Sequence, residues 1–141
     1  MVRLKNLWLR KSIISGLVLI SLVACKKKEA EDPIVCSAGS GGTSTLVVEL
    51  RHHALLIPSD SVYPDTVWIK YNAVNAGSGY DLQKIGNSGD SNIIFNNLKC
   101  GNYFITASGY DRNISFVVSG GLGITIEENK DSVFTTVAVT E

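Results

Sequence analysis

Five of the 141 residues carry a thiol or an imidazole: Cys25, Cys36, Cys100, His52 and His53. A thiolate is a nucleophile and a metal ligand, and two thiols in an oxidising compartment can join as a disulfide. Imidazole serves as a general base and is the commonest metal ligand. The histidines are neighbours at the end of Thr45 to His53 (TLVVELRHH). Adjacent side chains on a regular strand point to opposite faces, so the pair cannot chelate one metal together unless a bulge or strand end intervenes. Packing at a strand end or simple exposure is the plainer reading, and a metal role for His52 or His53 is the weaker candidate. A Ser-His-Asp site would need a serine set against one of these rings, and Gly77-Ser78-Gly79 lacks the spacing of a nucleophile elbow. Gly121-Leu122-Gly123 has no helical pattern after it, so it reads as a hairpin turn rather than a dinucleotide loop. The acidic residues lack calcium-loop spacing, with a site built across separate loops as the open alternative. The chain is expected to be no enzyme and to take no cofactor.

Cys25 has a context of its own. Arg3, Lys5, Arg10 and Lys11 precede an apolar run, Ser12 to Ala24, that ends in small residues. The run is shorter than the roughly 20 residues of a membrane-spanning helix. A basic flank, a short apolar stretch and small residues together form the layout of a secretory signal. Leu22-Val23-Ala24-Cys25 resembles the lipobox of bacterial lipoproteins. The resemblance implies cleavage before Cys25, lipid on its sulfur, and attachment to the outer membrane by acyl chains worth about 0.8 kcal/mol per buried methylene. Lys26 to Asp32 (KKKEAED) is similar to the lysine-then-acidic export signals of Bacteroidota surface lipoproteins, with Ala30 interrupting the acids. The cell surface and the periplasmic face both stay open.

Cleavage would leave 117 residues, the size of one domain. It would remove four basic residues and no acidic one, leaving 9 basic against 13 acidic residues and a net charge of −4. No basic patch survives beyond Lys26-Lys27-Lys28, so no nucleic-acid partner is expected. Lys26 to Asp32 and Ser37 to Ser44 (SAGSGGTS) read as linker. The organisation is then 1–24 signal, 25–44 lipidated cysteine and linker, and 45–141 folded domain. Cys36 and Cys100 form the one remaining thiol pair. A disulfide would staple the linker to a turn of the domain, and two free thiols are the alternative.

The positioning elements read as strands. Thr45 to His53 sets Leu46, Val48 and Leu50 against Val47, Glu49 and Arg51, and Thr66 to Ala73 sets Val67, Ile69 and Tyr71 against Trp68, Lys70 and Asn72. Such period-two alternation marks half-buried strands. Further strands are expected at Tyr80 to Ile85, Asn92 to Phe95, Gly101 to Ser108, Ile114 to Ser119, Gly123 to Glu128 and Ser132 to Thr140. Turn signals at short spacing and no helical period after residue 25 predict an all-β sandwich or barrel.

Asn97 to Asp111 (NLKCGNYFITASGYD) resembles the L-x-x-G-x-Y strand entry of carboxypeptidase-regulatory-like domains and of B-type repeats of bacterial surface proteins. The resemblance implies an Ig-like, prealbumin-type antiparallel β-sandwich of about seven to eight strands. In that arrangement Leu98 plugs the core, Gly101 permits the turn, and Tyr103 opens a strand like a tyrosine corner. Gly109-Tyr110-Asp111, Trp68 to Asn72, the histidine pair and the Ser119-Gly120-Gly121 turn also resemble small Bacteroidota lipoproteins of this type.

Two sets of surface candidates remain. Trp68, Lys70 and Asn72 share a strand face, and a ring beside an ammonium and an amide suits a sugar or a protein partner. Ser61, Thr66 and Ser132 each follow an aspartate and precede an apolar residue, matching the O-glycosylation sequon of Bacteroidota exported proteins; turn chemistry at a strand start explains the same triplets. The expectation is a lipid-anchored envelope module that binds a protein or glycan, with a structural scaffold subunit as the alternative.

Overall fold

The computed structural model describes residues 35–141, and the signal-like segment, Cys25 and Lys26-Lys27-Lys28 lie outside the described residues. The strand β1 (Ser40–His52) turns Leu46, Val48 and Leu50 inward, each at most 1% exposed. Side chains of this kind contribute about 1.5–3 kcal/mol each on full burial. β1 pairs antiparallel with β5 (Ile93–Leu98) and, at its far end, with the two-residue β2 (Leu55–Leu56). On its other side it pairs in parallel with β8 (Ser132–Ala138). The second sheet has the order β4 (Leu82–Ile85), β3 (Thr66–Tyr71), β6 (Gly101–Asp111), β7 (Phe116–Ile126), antiparallel throughout. Val67 and Ile69 of β3, with Tyr103, Ile105 and Ala107 of β6, close onto the first sheet in one core. The alternation and turn spacing therefore give an all-β, eight-stranded, two-sheet fold, with β1–β8 as its single parallel pairing among the described residues.

Three local readings change. The segment Ser37 to Ser44 reads as linker by composition, yet Ala38 is buried and β1 begins at Ser40. Ser40 and Ser44 both register with Leu98, so the residues between them form a bulge in a paired strand. Small polar residues serve a bulge as readily as a tether. Ile114 to Ser119 and Gly123 to Glu128 are parts of one strand, because β7 pairs with β6 without a break from Phe116 to Ile126. Gly120 and Gly121 mark close approach rather than a turn. An added Cβ on Gly120 would lie 2.1 Å from the Ala138 carbonyl oxygen, and one on Gly121 would lie 2.7 Å from the Ile105 carbonyl oxygen. Finally, β2 is too short to announce itself by alternation.

The turn before β6 follows the tyrosine-corner expectation. Leu98 is fully buried, and Gly101 has φ +143 with an added Cβ 2.2 Å from the Ala38 nitrogen. Glycine alone fits there. The Tyr103 ring is buried; its hydroxyl donates to the Lys99 carbonyl (2.6 Å) and accepts from the Gly39 N–H (3.1 Å). Burial pushes the phenol pKa up. Cys36 and Cys100 are joined as a disulfide beside this turn, with Cα atoms 5.0 Å apart. What reads as linker is thus fastened to the domain at its own end.

Candidate functional site

Alternation along β3 and β6 puts Trp68, Lys70, Phe104 and Thr106 on the outer face of the second sheet. Trp68 is opposite Thr106, and Lys70 is opposite Phe104. Tyr80 comes in from the preceding loop and tilts against Trp68, ring centroids 5.9 Å apart, with its hydroxyl 3.5 Å from Thr106 Oγ1. Trp68 is therefore half-buried, and Tyr80, 41% exposed, is the outermost ring. The Phe104 ring lies over Gly121, which has no side chain to lift it off the sheet. The result is a low surface of three aromatic rings edged by a hydroxyl and an ammonium. Lys70 Nζ is held 3.9 Å from Asp81.

Asn72 is not part of this surface. It leaves the strand with φ +51, so its side chain turns away from the line of Trp68 and Lys70. Its Oδ1 accepts from the Ala38 N–H (3.0 Å) and its Nδ2 donates to the Ala38 carbonyl (3.3 Å). Asn72 therefore ties down the segment before β1. Tyr80, Phe104 and Thr106 are the additions. Phe104 and Thr106 are within reach of an alternation argument on β6; Tyr80 reads as the start of a strand, but β4 begins at Leu82 and Tyr80 reaches Trp68 from the loop before it.

The histidines meet a different fate. His52 ends β1 as a buried residue, while His53 bends away with φ +46, so the two rings stack at 4.1 Å instead of facing opposite ways. Both nitrogens of His52 face carboxylates: Nδ1 is 2.8 Å from Asp111 Oδ2 and Nε2 is 2.9 Å from Glu141 Oε2. Donation from both at once requires the imidazolium. The bond to Asp111 raises the His52 pKa against the opposing effect of burial, with Glu141 adding to it. Asp111 is lowered by His52 and by the Asn113 N–H that meets its second oxygen at 2.8 Å. No group of three or more potential ligands able to hold a metal occurs among the described residues. His52 is the centre of an ion-pair arrangement with Asp111 and Glu141.

Two further buried carboxylates lie near this end. Asp60 Oδ1 accepts from the Val62 N–H (2.6 Å), and its Oδ2 accepts from Arg112 Nε (2.6 Å). These contacts, the backbone bond first, hold its pKa below the ordinary range. Asp65 differs: its Oδ1 finds no hydrogen-bond partner among the described residues. Burial, helped by the charge of Asp60, pushes its pKa up to about 7. Pattern did not mark either group as a buried acid, because Asp-Ser and Asp-Thr before apolar residues look like exposed turns.

That burial bears on the three sequons. Ser61 is exposed in the loop after Asp60, and Ser132 is exposed at the start of β8. Thr66 is half-buried in β3, registered with Ile85 on one side and Ser108 on the other. Ser61 and Ser132 are the accessible members of the set.

No family model matches this chain, and no curated protein matches it. Among solved structures it is similar to the major pilin subunit of Bacillus cereus, at 14% identity and a TM-score of 0.47. The similarity covers 71% of this chain and 30% of the pilin chain, so it spans about a third of that protein's length.

Proposed function

We propose that this chain is a lipid-anchored envelope module of the outer membrane that binds glycan on the outer face of its second sheet. The carrying observation is the surface built by Trp68, Tyr80 and Phe104, with Thr106 and Lys70 beside the rings. Aromatic faces stack on the apolar faces of sugar rings, and adjoining hydroxyl and ammonium groups offer hydrogen bonds to the sugar hydroxyls. The lipid anchor rests on Leu22-Val23-Ala24-Cys25 and the basic, apolar stretch before it. O-glycosylation at Ser61 or Ser132 is compatible with this reading, since both lie off the aromatic face.

The experiment compares the protein with Tyr80→Ala and Trp68→Ala on an array of bacterial envelope glycans, alongside thermal unfolding. Tyr80→Ala should abolish binding with little change in stability, because that ring is largely exposed. Trp68→Ala should also abolish binding and destabilise by about 1–2 kcal/mol, less than the roughly 3–5 kcal/mol of a fully buried tryptophan. Binding that survives both substitutions would sink the proposal. A second reading, a scaffold subunit, is favoured by one observation, the outer edge of β8 over Ser132 to Thr136, which no strand among the described residues pairs.

A further inference from the structure

We propose that the outer edge of β8 pairs with β8 of a second copy of this chain, antiparallel, with Phe134 on the two-fold axis. The parity of the β1–β8 ladder defines this edge. Thr45 N–H donates to the Asp131 carbonyl and Val139 N–H to the Arg51 carbonyl, each at 2.8–2.9 Å, so the odd residues of β8 bond to β1. The N–H and C=O groups of the even residues point the other way. Thr140 uses its pair on Ser119, and Ala138 lies against Gly120. Ser132, Phe134 and Thr136 are left facing outward, and no strand among the described residues pairs with them.

Self-pairing fits these three residues in one register. With Phe134 opposite Phe134 of the second copy, Ser132 lies opposite Thr136 and Thr136 opposite Ser132. Residues that face each other in this way exchange both of their backbone bonds. Every outward donor then meets an acceptor, and moving the centre to Ser132 or Thr136 strands some of them. The side chains agree with the backbone. Val47 is in register with Phe134 on one side and Ile94 on the other, forming a row across the outer face of the first sheet. Phe134 is 77% exposed and Ile94 41% exposed. Across the two-fold axis these rows run on as one continuous apolar stripe.

Charge permits the approach. Ser132–Ala138 contains no charged residue and no proline, the two devices that commonly blunt an exposed edge. Glu49, one strand inward, is held by Arg51 Nε at 2.7 Å. At β5, by contrast, Lys84 Nζ donates to the Ile94 carbonyl at 2.6 Å and so covers part of that edge.

The test uses full-length protein displayed in the envelope and a short thiol-to-thiol cross-linker. Ser132→Cys mixed with Thr136→Cys should yield covalent dimers, because opposed residues lie about 5.5 Å apart. Either variant alone should not, since its own two copies are offset by four residues, on the order of 13 Å along the strand. Adding Phe134→Pro should lower the mixed yield roughly tenfold. That N–H bonds outward and not to β1, so the substitution should leave the unfolding temperature nearly unchanged. Adding Phe134→Lys should act likewise, by charge. Equal yields from single and mixed variants, or no dimer from the mixture while the protein remains folded, would overturn the proposal.

Discussion

Where β6 begins, the sandwich is closed by a disulfide between Cys36 and Cys100, a neutral phenol bonded to Lys99 and Gly39, and the Asn72 amide on Ala38. Where β6 finishes, the closure is ionic: His52 between Asp111 and Glu141, Asp60 under Arg112, and Asp65 without a partner for one oxygen. The first end should respond to reductant and the second to pH, and among the described residues both cysteines lie at the first end. β1 of the first sheet and β6 of the second thus both run between two closures that fail under different conditions.

Breaking the covalent end should have the largest effect. Cys36→Ser with Cys100→Ser opens a loop spanning 64 residues in sequence separation. The chain-entropy relation gives a loss of about 4 kcal/mol as an upper figure, read by chemical denaturation with and without reductant. Reductant should destabilise the native protein and leave the double variant unchanged. Next comes Tyr103→Phe, which removes the donor to Lys99 and the acceptor for Gly39. A loss of about 1–3 kcal/mol is expected, with no dependence on pH between about 5 and 8.

The smallest effect sharpens the ionic end. Folding raises the Asp65 pKa to about 7, so the folded state holds this proton more tightly than the unfolded chain. Its contribution is intact below roughly pH 4 and declines as pH rises toward 7. The raised His52 acts in the same direction, its contribution being lost as pH climbs through its folded value. Asp60 and Asp111, both lowered, act oppositely and lose theirs as pH falls through their folded values. Asp65→Asn should therefore flatten the decline between about pH 4 and 7 by on the order of 1 kcal/mol per pH unit, measured as unfolding free energy across that range. An unchanged slope would mean that Asp65 is not the group responsible.

The parts of the fold legible in sequence are those carried by period two. Leu46, Val48, Leu50, Val67 and Ile69 each share one side of an alternating pattern, and all five are buried, while Tyr71 on the same side is half-buried. Leu98, Gly101 and Tyr103 followed from a short motif whose residue types each have a steric or hydrogen-bonding reason. Glycine and serine misled, because composition does not separate a loop from a strand that another backbone crosses. Hence Ser40 to Ser44 read as tether, and Gly120-Gly121 as a turn. The aromatic surface was half legible: Trp68 and Lys70 lie on one face as expected, whereas Asn72 departs through a positive φ. The His52 cluster was not legible at all. Its partners are 59 and 89 residues away, joined by strand register rather than by any local signal.

The parallel pairing of β1 with β8 also sets an order of events in time. Thr45 registers with Ser132, so the first strand must wait for the last before one of its two edges is covered. A chain emerging N-terminus first, from a ribosome or through a translocation pore, exposes that edge and the apolar row Leu46, Val48, Leu50 until nearly the whole domain is out. Pairings this distant in sequence fold slowly. Cys36 and Cys100 are both available earlier than β8. Oxidation can therefore fix the open half-sandwich before the closing strand arrives, and a holding chaperone acting on β1 in that interval would have a defined substrate.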